Sequence, residues 1–115
     1  MIVRIWRGPI PRAKLDEYAA YMAEMGLKEY VATPGNQGVF MLAQAQGEQN
    51  GSAQDGGEEI EVAMLTFWES WDAIRAFAGE PLDRAVYYPR DREFLTRFDE
   101  KVEHCEVLRE VRPQV

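Results

Sequence analysis

The sequence has very few of the residues that form disulfides or bind metals. It contains one cysteine, Cys105, and one histidine, His104. A single cysteine cannot form a disulfide within the chain, and with only one histidine beside it there is no ligand set for a structural zinc. We therefore expect neither a disulfide nor a metal to stabilise the fold. Cys105 itself is expected to behave as a small apolar residue within a strand.

Long apolar runs and an excess of positive charge are also absent. No uninterrupted apolar stretch approaches the roughly 18 residues that a membrane-spanning helix needs, and Met1 leads directly into Ile-Val-Arg-Ile-Trp without a basic and then apolar leader. Thirteen basic against twenty acidic residues give a net charge of −7, and no cluster of Lys and Arg with interleaved aromatics offsets it. We expect a soluble, cytoplasmic protein that binds neither membranes nor nucleic acid.

The most informative stretch is 58–79, which predicts one strand that leads directly into one helix. From Ile60 to Trp68, both alternating sets of side chains are mostly apolar, so this strand has to be covered on both faces. Ser70 offers an N-cap hydroxyl, and apolar residues that include Trp71 then recur at helical spacing until Gly79. The rest of the chain is arranged around this unit.

The remaining segments predict five further elements and one mobile connection. Short alternation of β-branched and aromatic residues predicts a first strand over 1–7, which Gly8-Pro9-Ile10-Pro11 is expected to end. An apolar stripe that contains Tyr18 and Met22 predicts a long amphipathic helix over 12–31. The later segments predict a strand over 38–45, a mobile connection over 46–57, a short helix around Phe94, Leu95 and Phe98, and a final strand over 101–111.

This order of elements predicts the fold class and the assembly. Strand, helix, strand, strand, helix, short helix, strand is typical of an α+β protein with a ferredoxin-like, four-stranded antiparallel sheet and helices on one face. A chain of 115 residues forms a single domain over 1–115. Because the helices cover one face and the second and third strands are apolar on both, we expect a homodimer packed through the open sheet face.

Several short stretches resemble the antibiotic biosynthesis monooxygenase-like family of the dimeric α/β-barrel superfamily. They are 67–70 (Phe-Trp-Glu-Ser) and 77–80 (Phe-Ala-Gly-Glu). The more specific similarity is to uncharacterised members of the superfamily, and the stretches that carry it are 35–38, 85–89 and 102–107. The resemblance implies a dimeric α/β barrel with a cavity between sheet and helices. It also implies a cofactor-independent monooxygenase that oxidises a small aromatic or quinol compound with dioxygen, without flavin, haem or metal.

Some family positions differ in this chain, and they support an alternative. The polyketide oxygenases of the family place an asparagine four positions before the tryptophan that matches Trp68 and a tyrosine six positions after it, where this chain has Met64 and Ile74. The haem-degrading relatives have an asparagine near the end of the first strand and a histidine after the second helix. In these regions this chain has Arg7 and, near Tyr87, no histidine. The alternative is a non-catalytic dimer of the same fold that binds a small hydrophobic molecule or is associated with stress. A third possibility is an accessory module whose dimer is its whole function.

Trp68 and His104 are the candidate catalytic residues. Trp68 lies at the end of the central strand, where its ring could stack on a flat substrate, although core or dimer packing explains it equally well. His104 is the only side chain whose unperturbed pKa lies near neutrality, so it is the natural acceptor for a phenolic proton. The competing interpretation of His104 is a partly buried histidine bonded to a neighbour, or a dimer contact.

Trp68, Arg4, Met64, Tyr87 and Tyr88 are the candidate substrate-binding residues. Tyr87 and Tyr88 are adjacent and point in different directions, so at most one of them is expected to face a cavity with a free hydroxyl group. Met64 shares the strand phase of Trp68. Arg4 is expected to point into an apolar environment, with a glutamate as its partner or an anionic ligand in its place.

Overall fold

The computed structural model describes residues 1–45 and 59–114 and has an α+β fold with one open, four-stranded antiparallel sheet. Its sheet order, β2-β3-β1-β4, is compatible with the predicted ferredoxin-like topology. The predicted mobile connection over 46–57 lies outside the described residues. The elements are β1 (Ile2–Pro11), α1 (Leu15–Glu24), α2 (Gly26–Ala32), β2 (Asn36–Ala43), β3 (Glu59–Trp68), α3 (Trp71–Ala78) and β4 (Glu103–Glu106).

The strand register separates the side chains of the sheet into a covered face and an open face. Trp6 of β1 lies opposite Met64 of β3, and both are buried beneath the helices. Residues of the other parity point away from the helices, and along β3 buried and half-exposed positions alternate. The predicted strand that is apolar on both sides is thus confirmed. What we call the open face consists of Val3, Ile5, Phe40, Leu42, Leu65 and Phe67.

β1 is longer than predicted. It continues through Gly8-Pro9-Ile10-Pro11, where Ile10 pairs with Ile60, so the prediction that these residues end the strand is wrong. The reason is that β4 pairs only with the first residues of β1, from Ile2 to Ile5. Beyond that point β1 has a free edge, where the missing N–H of a proline is tolerated. Thr96 N uses this edge and donates to Pro9 O at 3.0 Å.

The predicted helix over 12–31 is divided into three pieces. A single 3-10 turn over Arg12–Lys14 precedes α1, and the chain departs from helical geometry at Met25 before α2 begins. Gly26 follows the break in close contact with Met22: a Cβ at this position would lie 2.2 Å from the Met22 Cε, the flexible end of that side chain. The predicted core residues Tyr18 and Met22 are buried, which confirms the apolar stripe of the first helix.

The structure confirms the bounds of α3 and corrects one of its residues. Ser70 Oγ accepts a hydrogen bond from Ala73 N at 3.1 Å, as expected of an N-cap. The helix ends at Gly79, which has a positive φ of 78° that favours glycine. Trp71 was expected in the buried stripe but is 38% exposed, because it lies in the first turn at the rim of the covered face.

The last third of the chain has less regular structure than predicted. Instead of a short helix, a 3-10 turn over Asp91–Glu93 buries Phe94, and Phe98 is exposed. The final strand is four residues long rather than spanning 101–111. It pairs with β1 from Ile2 to Ile5, and just beyond its end Val107 N donates to Met1 O at 2.9 Å. Within residues 1–45 and 59–114, no helix has the length and apolar character to cross a bilayer.

Candidate functional site

A small cavity inside the covered face brings aromatic, thioether and carboxyl side chains together. Its volume is about 10 Å³, which is close to the space that one water molecule requires. β1 and β3 form its floor, α1 and α2 form one side, and the connection that follows α3 closes it. We call this the core cavity, and its lining residues are Trp6, Tyr18, Met22, Tyr30, Met64, Val86, Tyr88 and Asp91.

Asp91 is a buried carboxyl group of the core cavity, with only 2% of its surface exposed. Its Oδ2 accepts a hydrogen bond from Tyr88 N at 2.6 Å. Its Oδ1 is buried and has no hydrogen-bond partner in the part of the chain that the structure describes. Burial raises the pKa of Asp91, and the bond from Tyr88 N partly opposes that rise. Buried polar atoms are usually paired, so a free buried carboxyl oxygen marks a candidate site.

Two further polar atoms at the core cavity also lack full hydrogen-bond satisfaction. Among the described residues, the buried hydroxyl of Tyr88 has no partner, and Trp6 Nε1 meets no acceptor in good geometry. The Trp6 indole nevertheless lies near enough to the Tyr87 hydroxyl to oppose the rise in the pKa of Tyr87 that burial causes. The core cavity thus offers an acceptor and a hydroxyl group within an aromatic surface.

The phenols of the core cavity remain protonated at neutral pH. Burial raises the pKa of Tyr18 and of Tyr88, and it raises the pKa of Tyr30 to about 12 even though the charge of Arg4 opposes the shift. These side chains can therefore donate or accept hydrogen bonds, but they are not bases. Asp91 is the one carboxyl group among the lining residues.

The outer wall of the core cavity belongs to the irregular connection between α3 and β4. Val86 and Tyr88 lie on this segment and are half-buried. Both residues lie outside the helices and strands. Side chains hold part of the segment's backbone, since Tyr88 N donates to Asp91 Oδ2 and Arg90 N donates to the Tyr21 hydroxyl at 3.0 Å, and main-chain bonds such as that from Ala85 N to Glu100 O at 2.9 Å hold the rest. The wall is therefore the least regular side of the cavity.

A second polar cluster surrounds the guanidinium group of Arg4, which is 2% exposed. Arg4 donates to Leu82 O at 2.7 Å and to Arg84 O at 2.6 Å, and its Nη1 lies 3.2 Å from His104 Nε2. The guanidinium also lies over the Phe77 ring, 5.6 Å from its centroid. We call these groups the Arg4 network.

The position of Arg4 confirms one expectation and corrects another. Its side chain points into the interior, as predicted from its strand phase. The expected salt bridge to a glutamate is wrong, since no carboxylate forms an ion pair with Arg4 within residues 1–45 and 59–114. Two main-chain carbonyls and the Phe77 ring take its place. They bind the start of the connection after α3 to the sheet.

His104 lies on β4, directly opposite Arg4 and on the covered face. Burial and the positive charge of Arg4 lower the pKa of His104, while Asp83 opposes the shift. Because arginine has only donors, Nε2 acts as the acceptor and the neutral ring carries its proton on Nδ1. The basic nitrogen of His104 is thus bonded to Arg4, and its role as a proton acceptor for a substrate stays a prediction.

Trp68 is fully buried and lies outside the core cavity. Its Nε1 donates to Thr66 Oγ1 at 2.9 Å, and its ring lies 5.4 Å from the Phe77 ring. The Phe77 ring in turn packs 4.8 Å from Tyr30, which lines the core cavity. Trp68 is therefore two aromatic contacts away from the cavity, and its catalytic role stays a prediction.

The structure thus divides the predicted site residues into three groups. Met64 and Tyr88 line the core cavity. Arg4 and Trp68 pack against Phe77 beside it, and His104 is bonded to Arg4. Tyr87 turns outward, where its hydroxyl donates to Asp99 O and its ring packs 4.9 Å from Phe98.

Sequence reasoning missed Asp91, the most unusual group of the core cavity. It stands in the run Arg90-Asp91-Arg92-Glu93, which has the appearance of a solvated, charged surface segment. Nothing in that pattern distinguishes it from Asp99, which pairs with Arg97 at the surface. Within the described ranges, no group of three or more His, Cys, Asp or Glu side chains is arranged to hold a metal ion.

Replacement of Arg4 by methionine should destabilise the fold. Arg4→Met removes the donors that bond the partly buried carbonyls of Leu82 and Arg84, so we expect the free energy of unfolding to fall by about 3 kcal/mol. Arg7→Met is the matched control, because Arg7 lies on the same strand but forms an exposed ion pair with Glu103. Its effect should stay below about 1 kcal/mol. Urea unfolding measures both, and equal losses would contradict the importance of the Arg4 network.

The raised pKa of Asp91 predicts a specific pH dependence of stability. A carboxyl group whose pKa is raised by folding contributes stability below its unfolded-state pKa, and this contribution is lost as the pH rises through the folded-state pKa. Asp91→Asn removes that titration. The stability of the wild type relative to Asp91→Asn should therefore decrease as the pH rises above about 4, the usual pKa of an unfolded-state Asp, and through the raised pKa of the folded state.

Urea unfolding at several pH values measures this difference. Asp72→Asn serves as the control, because the Asp72 side chain is 92% exposed. A difference between the wild type and Asp91→Asn that does not change with pH would show that folding leaves the pKa of Asp91 unshifted.

No family model matches the chain, and a search of curated proteins found no match either. The function is therefore inferred from three physical features: the core cavity, the Arg4 network and the open face.

Proposed function

We propose that the chain forms a homodimer through its open face and that each protomer oxidises a small phenolic or quinol compound at the core cavity. Dioxygen is the co-substrate, and no flavin, haem or metal takes part. The observation that carries this proposal is the chemistry of the core cavity. A buried carboxyl oxygen without a partner in the described chain lies among aromatic side chains, beside the unpaired hydroxyl of Tyr88.

The open face supports the homodimer. Phe40 and Leu42 on β2 are 59% and 44% exposed, although strand side chains of this kind are normally buried. Phe40 packs edge-on against Phe67, with ring centroids 6.0 Å apart, so these residues form one continuous apolar surface. A two-fold axis would place this surface against its own copy, which is the commonest way to cover such a patch. Two sheets packed in this way would make the dimeric α/β barrel that the resemblance implies.

The core cavity supports a phenolic or quinol substrate. Its aromatic and methionine side chains favour a flat apolar ring. Its unpaired carboxyl oxygen favours a ligand with a hydroxyl donor, and it disfavours an anionic ligand.

A compartment that keeps thiols reduced, such as the cytoplasm, suits the exposed and unpaired Cys105.

The chemistry of the proposal requires a substrate that reduces dioxygen itself. Loss of a proton gives an electron-rich anion, and this anion passes electrons directly to dioxygen. With an anthrone, the ring CH₂ group becomes a carbonyl: one oxygen atom enters the product, and the other leaves as water with both hydrogens. In this proposal Trp68 and His104 act by positioning, because they pack against Phe77 and Arg4 rather than on the cavity.

A non-catalytic binding protein is the second candidate, and the loss of two polar positions favours it. Where the oxygenases that the chain resembles have an asparagine and a tyrosine, this chain has Met64 and Ile74, and both are buried in the core. Such a protein would hold its ligand without changing it.

Oxygen consumption separates these two candidates. Chelator-treated protein is offered an anthrone or 1,4-dihydroxynaphthalene, and uptake above the uncatalysed rate is expected. Trp68→Phe should reduce this uptake about tenfold or more, because it loosens the packing of Phe77 against Tyr30 at the cavity. Trp71→Phe is the matched control, because Trp71 is partly exposed, does not line the core cavity, and on replacement by phenylalanine keeps an aromatic ring beside His104.

Each result has a definite meaning once urea unfolding has shown that both variants are folded. If no substrate gives oxygen uptake but the same compounds bind measurably, the result would favour the binding protein over the oxygenase. Absence of both uptake and binding would leave only the dimer as a module.

A further inference from the structure

The two carboxyl oxygens of Asp91 are in different situations. Oδ2 holds Tyr88 N at 2.6 Å, and the main-chain carbonyl of Asp91 accepts from Phe94 N and Leu95 N at 3.0 and 2.8 Å. These bonds fix the turn that carries the residue. Oδ1 takes no part in them, and it has no donor within the described ranges. The turn therefore needs one carboxyl oxygen and leaves the other available.

Among the described residues, no cation compensates a negative charge on Asp91. The guanidinium of Arg90, its neighbour in the chain, pairs with Glu93 at 3.0 Å and with Glu17 at 3.8 Å and lies over the Tyr21 ring. The Arg4 guanidinium is bonded to carbonyls. In residues 1–45 and 59–114, no Lys or Arg nitrogen lies within ion-pair distance of Asp91. A buried carboxylate in this situation gains most from a donor that a ligand brings.

We propose that Asp91 Oδ1 accepts the hydroxyl proton of a bound phenol or quinol, and that the Tyr88 hydroxyl bonds the same oxygen of the ligand. This inference rests on the proposed function and deepens it. In the step, the O–H bond of the ligand breaks, the proton moves to Oδ1, and the electron pair stays on the ligand as a phenolate. Tyr88, which burial keeps neutral, then donates to the phenolate oxygen.

The size and the wall of the core cavity agree with this arrangement. Its volume of about 10 Å³ fits the hydroxyl group of such a ligand. The ring would occupy the side where Val86 and Tyr88 close the cavity, because these two residues lie outside the helices and strands. Met22 and Met64 can adjust their rotamers to the ring, as flexible thioether side chains do.

A methyl ether of the same ring system is the direct test of a donor requirement. 1-Naphthol and 1-methoxynaphthalene share their ring, but only the naphthol can donate a hydrogen bond. Isothermal titration calorimetry of the wild-type protein should show that 1-naphthol binds roughly tenfold tighter or more, as expected for a hydrogen bond to a charged acceptor. Equal affinities, or no binding of either compound, would overturn the inference.

Asp91→Asn assigns the preference to the proposed atom. Its single carbonyl oxygen is needed by Tyr88 N, so its amide group faces the cavity as a donor and cannot accept the ligand proton. The preference for 1-naphthol should fall to less than about threefold in this variant. Asp72→Asn, an exposed carboxyl outside the cavity, should keep the wild-type preference.

Tyr88→Phe provides a second variant that keeps the ring and the turn. It removes the hydroxyl that lacks a partner in the described chain, so 1-naphthol should bind several-fold more weakly while the preference over the ether is retained. A preference that is unchanged in Asp91→Asn, or an affinity that is unchanged in Tyr88→Phe, contradicts the assignment of that residue.

Oxygen uptake distinguishes a failure of this inference from a failure of the proposed oxygenase. For the wild type, uptake should rise with pH as Asp91 ionises, and Asp91→Asn should lose uptake by about a hundredfold. Uptake that Asp91→Asn leaves intact would overturn the inference while the oxygenase stands. If the preference for 1-naphthol depends on Asp91 but no oxygen uptake occurs, the result would support Oδ1 as the acceptor for the ligand and would contradict the proposed oxygenase activity.

Discussion

The structure depends on one constraint: its central strand is apolar on both faces, but the helices can cover only one of them. β3 alternates buried residues such as Val62, Met64 and Trp68 with half-exposed residues such as Leu65 and Phe67. The covered face provides the core and the cavity within it. The open face leaves an apolar surface in contact with water at a cost in free energy, and the proposed homodimer would remove that cost.

The Arg4 network shows how the covered face is held to the least regular part of the chain. The connection between α3 and β4 has few main-chain hydrogen bonds to the sheet, and the buried guanidinium supplies two of its anchors, at Leu82 O and Arg84 O. Within the connection, Asp91 fixes a turn by accepting a hydrogen bond from Tyr88 N. The wall of the core cavity is thus positioned by charged side chains whose charges are not neutralised by ion pairs in the described chain. Such an arrangement is expensive for stability alone and is typical of a site that binds something.

Much of the fold followed from the sequence, because the period of the apolar residues fixes strands and helices directly. The two-faced β3, the cap at Ser70 and the inward direction of Arg4 are examples. The length of β1 did not follow, because prolines are tolerated on an edge that depends on how far β4 extends. The site was only partly predictable. Met64 and Tyr88 were identified, whereas the burial of Asp91 depends on a tertiary turn that a charged segment does not reveal.

The claim that a second copy covers the open face is tested most directly by sedimentation equilibrium. We expect the wild type to be a dimer at micromolar concentration and Phe40→Glu to be a folded monomer, because Phe40 is 59% exposed on the open face. Val31→Glu is the control, since Val31 is 61% exposed on α2, away from that face, and it should leave the dimer intact. A wild-type monomer at micromolar concentration, or a Phe40→Glu variant that remains dimeric, would contradict the account.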